Sequence, residues 1–284
     1  MNAEVRERII VRKLTPSIGA EVLGVDLSRP LAAATLQTIK QALWDNQVIF
    51  FRDQQLSPDQ HLAFASGFGP LHIHPLKKER DLEHEELLVI HADENSKYVA
   101  GEDLHTDVSC DAEPPMGSIL YLTEVPPSGG DTLFASMYAA YDALSPRMKE
   151  ILEGLTAVHD GAKPWLGGMK IKPDQAYARN EHPVVTVHPE TGRKVLFVNR
   201  GFTTRIRQLA REESAALLDF LYKHLAHPRF QCRFRWEANS IAFWDNRCTQ
   251  HQAVWDYYPA RRHGARATVA GHAPAAANPQ RLAA

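Results

Sequence analysis

The sequence predicts a mainly β protein with inserted helices, its core a double-sheet jelly roll. Three observations carry that reading. Short apolar runs recur at irregular spacing between Gly, Pro, Asn and Asp turns. Helical periodicity is confined to a few isolated segments, and the regular strand and helix alternation of a parallel sheet is missing.

In chain order, Ile9 to Val11 and Ala20 to Leu27 read as short strands split by Thr15-Pro16-Ser17-Ile18-Gly19. Leu36, Ile39 and Leu43 fall at helical intervals over Ala33 to Asp45, and Val48 to Phe51 is an apolar run of buried-strand type. Ser57 followed by Pro58 marks a helix start, predicting a helix from Ser57 to Phe68 that Gly69-Pro70 ends. Leu71 to Glu102 is polar and loop-like around one strand, Leu87 to Ile90. Strands follow at Ser118 to Leu122 and Leu133-Phe134, with the turn-dense Pro126 to Thr132 between them. Helices are expected over Met137 to Leu144 and Ser145 to Leu155, and Gly161 to Asn180 reads as a loop. Strands at Val184 to His188 and Lys194 to Asn199 flank a hairpin signature. Glu212 to Ala226 is an amphipathic helix, and strands at Gln231 to Trp236, Ser240 to Trp244 and Arg266 to Val269 close the order.

The chain has 284 residues, 44% hydrophobic and 23% charged, which suits a folded globular protein and not a disordered one. Residues 1–272 are expected to form a single domain, with an Ala- and Pro-rich frayed tail over 273–284. A net charge of -2 lacks the broad basic footprint of a nucleic-acid binder, and no apolar run approaches the roughly 20 residues of a membrane helix. Neither nucleic acid nor membrane is expected as a partner. Cys110, Cys232 and Cys248 form no Cys-x-x-Cys pair, which fits a reducing, cytoplasmic setting.

Fourteen histidines are the more informative count, because their chemistry is ligation or proton transfer. In Leu104-His105-Thr106-Asp107-Val108, an extended backbone would project His105 and Asp107 side by side, about 6 to 7 Å apart at the backbone. Both could then reach one ion. His251, at the mouth of a late strand, would add a second imidazole, although a turn histidine is often satisfied locally. Two imidazoles and one carboxylate cover one face of an octahedral ferrous ion and leave three positions open. In the segment Arg261 to Val269, Arg262, Arg266 and Thr268 share one face if it is extended, so two guanidiniums could each hold an anion. A bulge at Gly264 would upset that parity, and a solvated basic edge strand is the alternative.

Five motifs in order resemble the taurine/2-oxoglutarate dioxygenases, ferrous oxygenases of the double-stranded β-helix fold. They are Gly69 to Pro75, His105 to Val108, Gly129 to Leu133, Asn199 to Ile206 and Trp244 to His251, within a likeness running from Ile10 to Gly271. The resemblance implies Fe(II) held by His105, Asp107 and His251. It also implies the cosubstrate 2-oxoglutarate held by Thr132 and Arg262, and a small anionic organic substrate held by His74 and Arg266. Phe202, Val108, Trp165 and Lys77 fall at substrate-pocket positions. O2 would be the other substrate, and a homo-oligomer, dimer or tetramer, is expected.

The sequence departs from taurine-specific members at Lys77, where they place a Tyr, and at Gly101, where they place an Asn before the metal His. Pro164-Trp165 stands in place of a Ser-Phe pair. A sulfonate, sulfate ester or carboxylate without a primary amine is therefore expected, with alkyl sulfates and aryloxyalkanoates as alternatives. A zinc hydrolase could use the same three ligands, but it would leave Thr132 and Arg262 without a role.

Overall fold

The computed structural model describes residues 9–73, 83–166 and 176–282. The first half runs β1 (Ile10–Lys13), β2 (Ala20–Leu23), α1 (Ala33–Asn46), β3 (Val48–Phe51), α2 (Pro58–Ser66), β4 (Leu87–Ala92), β5 (Gly117–Glu124) and β6 (Thr132–Ser136). Next come α3 (Met137–Asp142), α4 (Pro146–Leu152), β7 (Thr156–Asp160), α5 (Lys163–Leu166), β8 (Arg179–Pro183), β9 (Val185–Val187), β10 (Lys194–Leu196) and β11 (Thr203–Ile206). The chain closes with α6 (Arg211–Leu225), β12 (Gln231–Phe234), β13 (Ser240–Asp245), β14 (Thr249–Ala253), β15 (Arg262–Val269), β16 (Ala275–Ala276) and α7 (Pro279–Leu282).

A seven-stranded sheet of order β1-β2-β3-β13-β5-β15-β4 faces a three-stranded sheet of order β12-β6-β14, which is the expected two-sheet core. The apolar runs read without alternation because the large sheet is covered on both sides. Phe50, Leu120, Leu122, Ala242 and Trp244 point between the sheets and pack on Phe134 and Phe234. Their neighbours Ile49, Phe51, Ile119, Ile241 and Phe243 point outward under α1 and α2, onto Ile39, Leu43 and Phe64. Phe50 stacks on Phe234 with centroids 3.9 Å apart, so one aromatic pair bridges the layers. Two further three-stranded sheets, β11-β7-β8 and β10-β9-β16, lie outside this core with α3, α4 and α6.

Local chemistry sets the helix ends. Ser57 caps α2 by accepting from Gln60 N–H while Gln60 answers the Ser57 N–H, and Ser145 caps α4 by accepting from Met148 N–H. Helix α2 stops at Ser66 with Gly67 as its cap, two residues before the predicted end. Strands β7, β8 and β11 were not foreseen, since Arg179-Asn180-Glu181-His182-Pro183 carries no apolar alternation. Strand β15 begins at Arg262, four residues earlier than expected. The tail from Ala273, expected to be frayed, instead pairs β16 with β9 and ends in α7. Among the described residues no helix is long and apolar enough to cross a membrane.

Candidate active site

Strand β14 forms one edge of the small sheet, and His105 docks on that edge. His105 N–H donates to His251 O at 3.1 Å, and His251 N–H donates to His105 O at 2.9 Å. The exchange sets the two imidazoles side by side, with centroids 4.2 Å apart. The predicted strand through Asp107 does not form: pairing stops at His105, and residues 107–110 turn, with Val108 at φ 45°. The turn nevertheless brings Asp107 Oδ1 to 3.8 Å from His105 Nε2 and 3.9 Å from His251 Nε2. The three candidate ligands thus meet, all of their donor atoms within 4.8 Å of one another.

Each ligand is oriented from behind. His105 Nδ1 donates to Asp103 O at 2.8 Å, which fixes the ring with its Nε2 turned toward Asp107. Ser118 donates to Asp107 Oδ2 at 2.7 Å and accepts from Asn246 Nδ2, whose Oδ1 accepts from Trp244 Nε1. That chain leaves Oδ1 to face the two imidazoles and the Arg266 guanidinium. Burial alone would raise the Asp107 carboxyl, but Arg266, His251 and His105 beside it and the Ser118 hydroxyl hold it well below the usual range. Burial and the neighbouring His105 and Arg266 push His251 well below its ordinary value despite Asp107, so its imidazole is neutral. Two imidazoles and an ionised carboxylate are the donor set that suits a divalent first-row metal such as Fe(II).

Two glycines make room for His105. A Cβ on Gly201 would lie 2.7 Å from His105 Cβ, and one on Gly101 would lie 2.9 Å from His105 Cε1. Gly101 also holds φ +89°, so a larger residue there would be strained and would push on the His105 ring.

Arg262 and Arg266 lie four residues apart on β15 and both face the cavity that holds the three ligands. The register break with β5 falls at His263/Gly264, where Thr123 is the unmatched residue, so the extra residue sits on β5 and β15 keeps its parity. Among the described residues no carboxylate pairs with Arg262, which is 5% exposed and whose Nε has no partner. Burial lowers its pKa, an effect the Tyr257 phenol partly offsets. A buried guanidinium without a counterion is costly and calls for an anion. Arg266 differs: its Nη1 donates to Asp107 Oδ1 at 2.8 Å while its Nε has no partner. Thr132 lines the same cavity and accepts from Trp236 Nε1 at 2.9 Å.

Val108 and Phe202 also line the cavity, Phe202 with its centroid 6.4 Å from that of His105. His74, Lys77 and the Trp165 side chain lie outside the described residues. Sequence reasoning missed Ser118, Asn246 and Trp236, which act through contacts between distant segments. It also missed His72, whose Nε2 lies 3.6 Å from Asp111. A second cluster, His188, Asp245 and Cys248, has similar spacing. There, Arg247 and His188 take both Asp245 oxygens, so it reads as a buried ion network.

The sequence profile described as "Taurine catabolism dioxygenase TauD, TfdA family" matches residues 10–268. An alpha-ketoglutarate-dependent sulfate ester dioxygenase of Pseudomonas putida is 36% identical over 93% of this chain and 90% of its own length. An alkylsulfatase of Acinetobacter baylyi is 35% identical over 93% of this chain and 86% of its own. A crystal structure of a taurine dioxygenase from Burkholderia xenovorans superposes with a TM-score of 0.82 at 38% identity, covering 94% of this chain and 90% of that one.

Proposed function

This chain belongs to the taurine catabolism dioxygenase TauD, TfdA family, and from that premise we propose how its residues divide the work of an Fe(II)- and 2-oxoglutarate-dependent dioxygenase. His105 and His251 bind the iron through Nε2, and Asp107 binds it through Oδ1. When bound, iron and 2-oxoglutarate together activate O2, giving succinate, CO2 and a hydroxylated substrate.

The observation that carries this reading is the buried Arg262 guanidinium, in the same cavity as the three ligands, which no carboxylate among the described residues pairs. It is placed to take the far carboxylate of 2-oxoglutarate through paired hydrogen bonds. The Thr132 oxygen already accepts from Trp236, so its hydroxyl hydrogen is left to donate to that carboxylate. A zinc hydrolase built on the same ligands would leave a buried cation without a counterion.

Arg266 commits one N–H to Asp107 and keeps the others. It therefore both fixes a metal ligand and offers donors to the anionic head of the prime substrate beside the metal, with His74 as the second holder by resemblance. Val108 and Phe202 wall the space where the scissile carbon rests. The substrate is a sulfonate, sulfate ester or aryloxyalkanoate. Hydroxylation of the carbon next to its heteroatom gives a product that collapses to a carbonyl compound and releases sulfite, sulfate or a phenol. Screening such anions for oxygen consumption that needs both iron and 2-oxoglutarate tests the proposal: turnover of at least one class is expected. Water-driven ester cleavage without oxygen uptake would overturn it. Efficient sulfite release from taurine would overturn the exclusion of a primary amine, which rests on Lys77 and Gly101.

A further inference from the structure

The cavity is larger than iron, 2-oxoglutarate and a two-carbon sulfonate need. Its volume of about 990 Å³ lies at the upper end of the range for sites of drug-sized ligands. Its walls differ in origin. Arg262 and Arg266 come from β15 of the large sheet, whereas Lys163, Arg200, Phe202 and Tyr222 come from α5, the Asn199 to Thr203 turn and α6, outside the two-sheet core.

This outer wall is cationic and preorganised. Lys163 Nζ donates to Thr203 O at 2.6 Å, and Tyr222 OH donates to the same oxygen at 2.9 Å. The Lys163 ammonium lies 5.5 Å from the centre of the Tyr222 ring, and the Arg200 guanidinium lies 5.3 Å from it. One ring thus carries two cations. The carboxylate beside them, on Asp103, is 4.0 Å from Arg200 Nε and its side chain is largely exposed. Arg200 and Asp103 are both solvated, and Glu102 and Asp111 also line the cavity, so among the described residues the cationic character is local to the two groups on the Tyr222 ring. Burial lowers the Lys163 pKa to about 8, with Arg200 adding to the fall and Asp103 opposing it. The turn itself is fixed, since Asn199 donates to Ser109 Oγ and accepts from Phe202 N–H.

We propose that Lys163 and Arg200 form a second anion subsite, and that the prime substrate is an elongated organic acid with an acidic group at each end. One end lies at Arg266, the apolar or aromatic body runs along Phe202 and Tyr222, and the far carboxylate, sulfonate or phosphate lies between Lys163 and Arg200. The inference rests on the dioxygenase reading and names its substrate class.

The test compares alkanesulfonates of equal length that end in a methyl or a carboxylate group. The wild type is expected to favour the carboxylate-ended substrate by about tenfold or more in kcat/KM, the effect of one charge-assisted contact. Lys163→Gln with Arg200→Gln should bring that ratio close to one, while the charge-retaining Lys163→Arg and Arg200→Lys should each preserve it. Turnover of both substrates with no preference, or a preference that survives the double substitution, would overturn the subsite. Absence of iron-dependent succinate formation with every anion would overturn the dioxygenase reading as well, so the two failures are distinguishable.

Discussion

Arg266 Nη1 lies 2.8 Å from Asp107 Oδ1, the same oxygen that faces both imidazoles. One contact therefore links the residue assigned to the substrate head with the one carboxylate of the metal site. Through it, the charge proposed to attract the substrate also keeps the proposed ligand ionised and aimed. Replacing Arg266 with Gln should weaken both functions, with a rise of about tenfold or more in the prime-substrate KM and a smaller loss of iron affinity. Steady-state kinetics beside an anaerobic iron titration separates the two effects, and an unchanged substrate KM would remove Arg266 from the substrate site.

Arg262 makes the complementary case. Arg262→Gln should raise the half-saturating 2-oxoglutarate concentration by roughly 10- to 100-fold and change the prime-substrate KM far less. Equal effects on both would mean that the two arginines are assigned to the wrong partners. Removing a buried charge that lacks a counterion should also spare or raise the melting temperature of the ligand-free protein.

The pairing of His105 and Asp107, the late His251 and the two arginines were legible as residue types at telling positions. Their geometry was not. His105 is held by a single bridge to His251, and Asp107 is aimed by a turn at Val108 and by Ser118, whose sequence neighbourhood gives no sign of that contact. The apolar runs of β3, β5 and β13 announced the large sheet, because residues buried on both faces leave a continuous signal. Strands β7, β8 and β11 gave little, since their buried positions include the polar residues His159, His182 and Thr203, each of which makes a hydrogen bond to a distant or neighbouring segment.

The glycines beside His105 yield a steric prediction. Gly201→Ala puts a methyl 2.7 Å from His105 Cβ and should lower iron affinity by roughly tenfold or more by displacing the imidazole. Circular dichroism should show an unchanged fold. Unaltered iron affinity would show that the turn yields without moving His105.

Acid sensitivity has an identifiable source in His61, which is fully buried against Ile119 O and whose pKa burial lowers to about 4. The unfolded chain binds this proton near pH 6.5 and the folded chain does not, so stability is lost as pH falls from about 6.5 to 4, by about 3 kcal/mol. His61→Gln keeps a donor for Ile119 O and removes the titration. Denaturant midpoints measured between pH 7 and 4 should fall less steeply in the variant, and parallel slopes would clear His61 of the effect.

Behind the site, Arg247 pairs with the fully buried Asp245, and Arg247→Met should cost about 3 to 5 kcal/mol by leaving that carboxylate with His188 as the one remaining partner of these two. Burial would raise the Asp245 carboxyl, but Arg247 and His188 hold it low in the wild type. Without the guanidinium, the larger of the two groups opposing burial is gone and the carboxyl pKa rises. The ionised form is then the costly one, and the stability gap between variant and wild type should narrow as pH falls below about 5. A gap independent of pH would mean that lost packing, not lost charge, is responsible.

That His105, Asp107 and His251 hold one ferrous ion is tested by anaerobic titration of Fe(II) into the wild type and His251→Ala, monitored by equilibrium dialysis. One tightly bound iron per chain is expected for the wild type, with binding at least about 100-fold weaker in the variant. Undiminished iron binding by His251→Ala would contradict the assignment of the site.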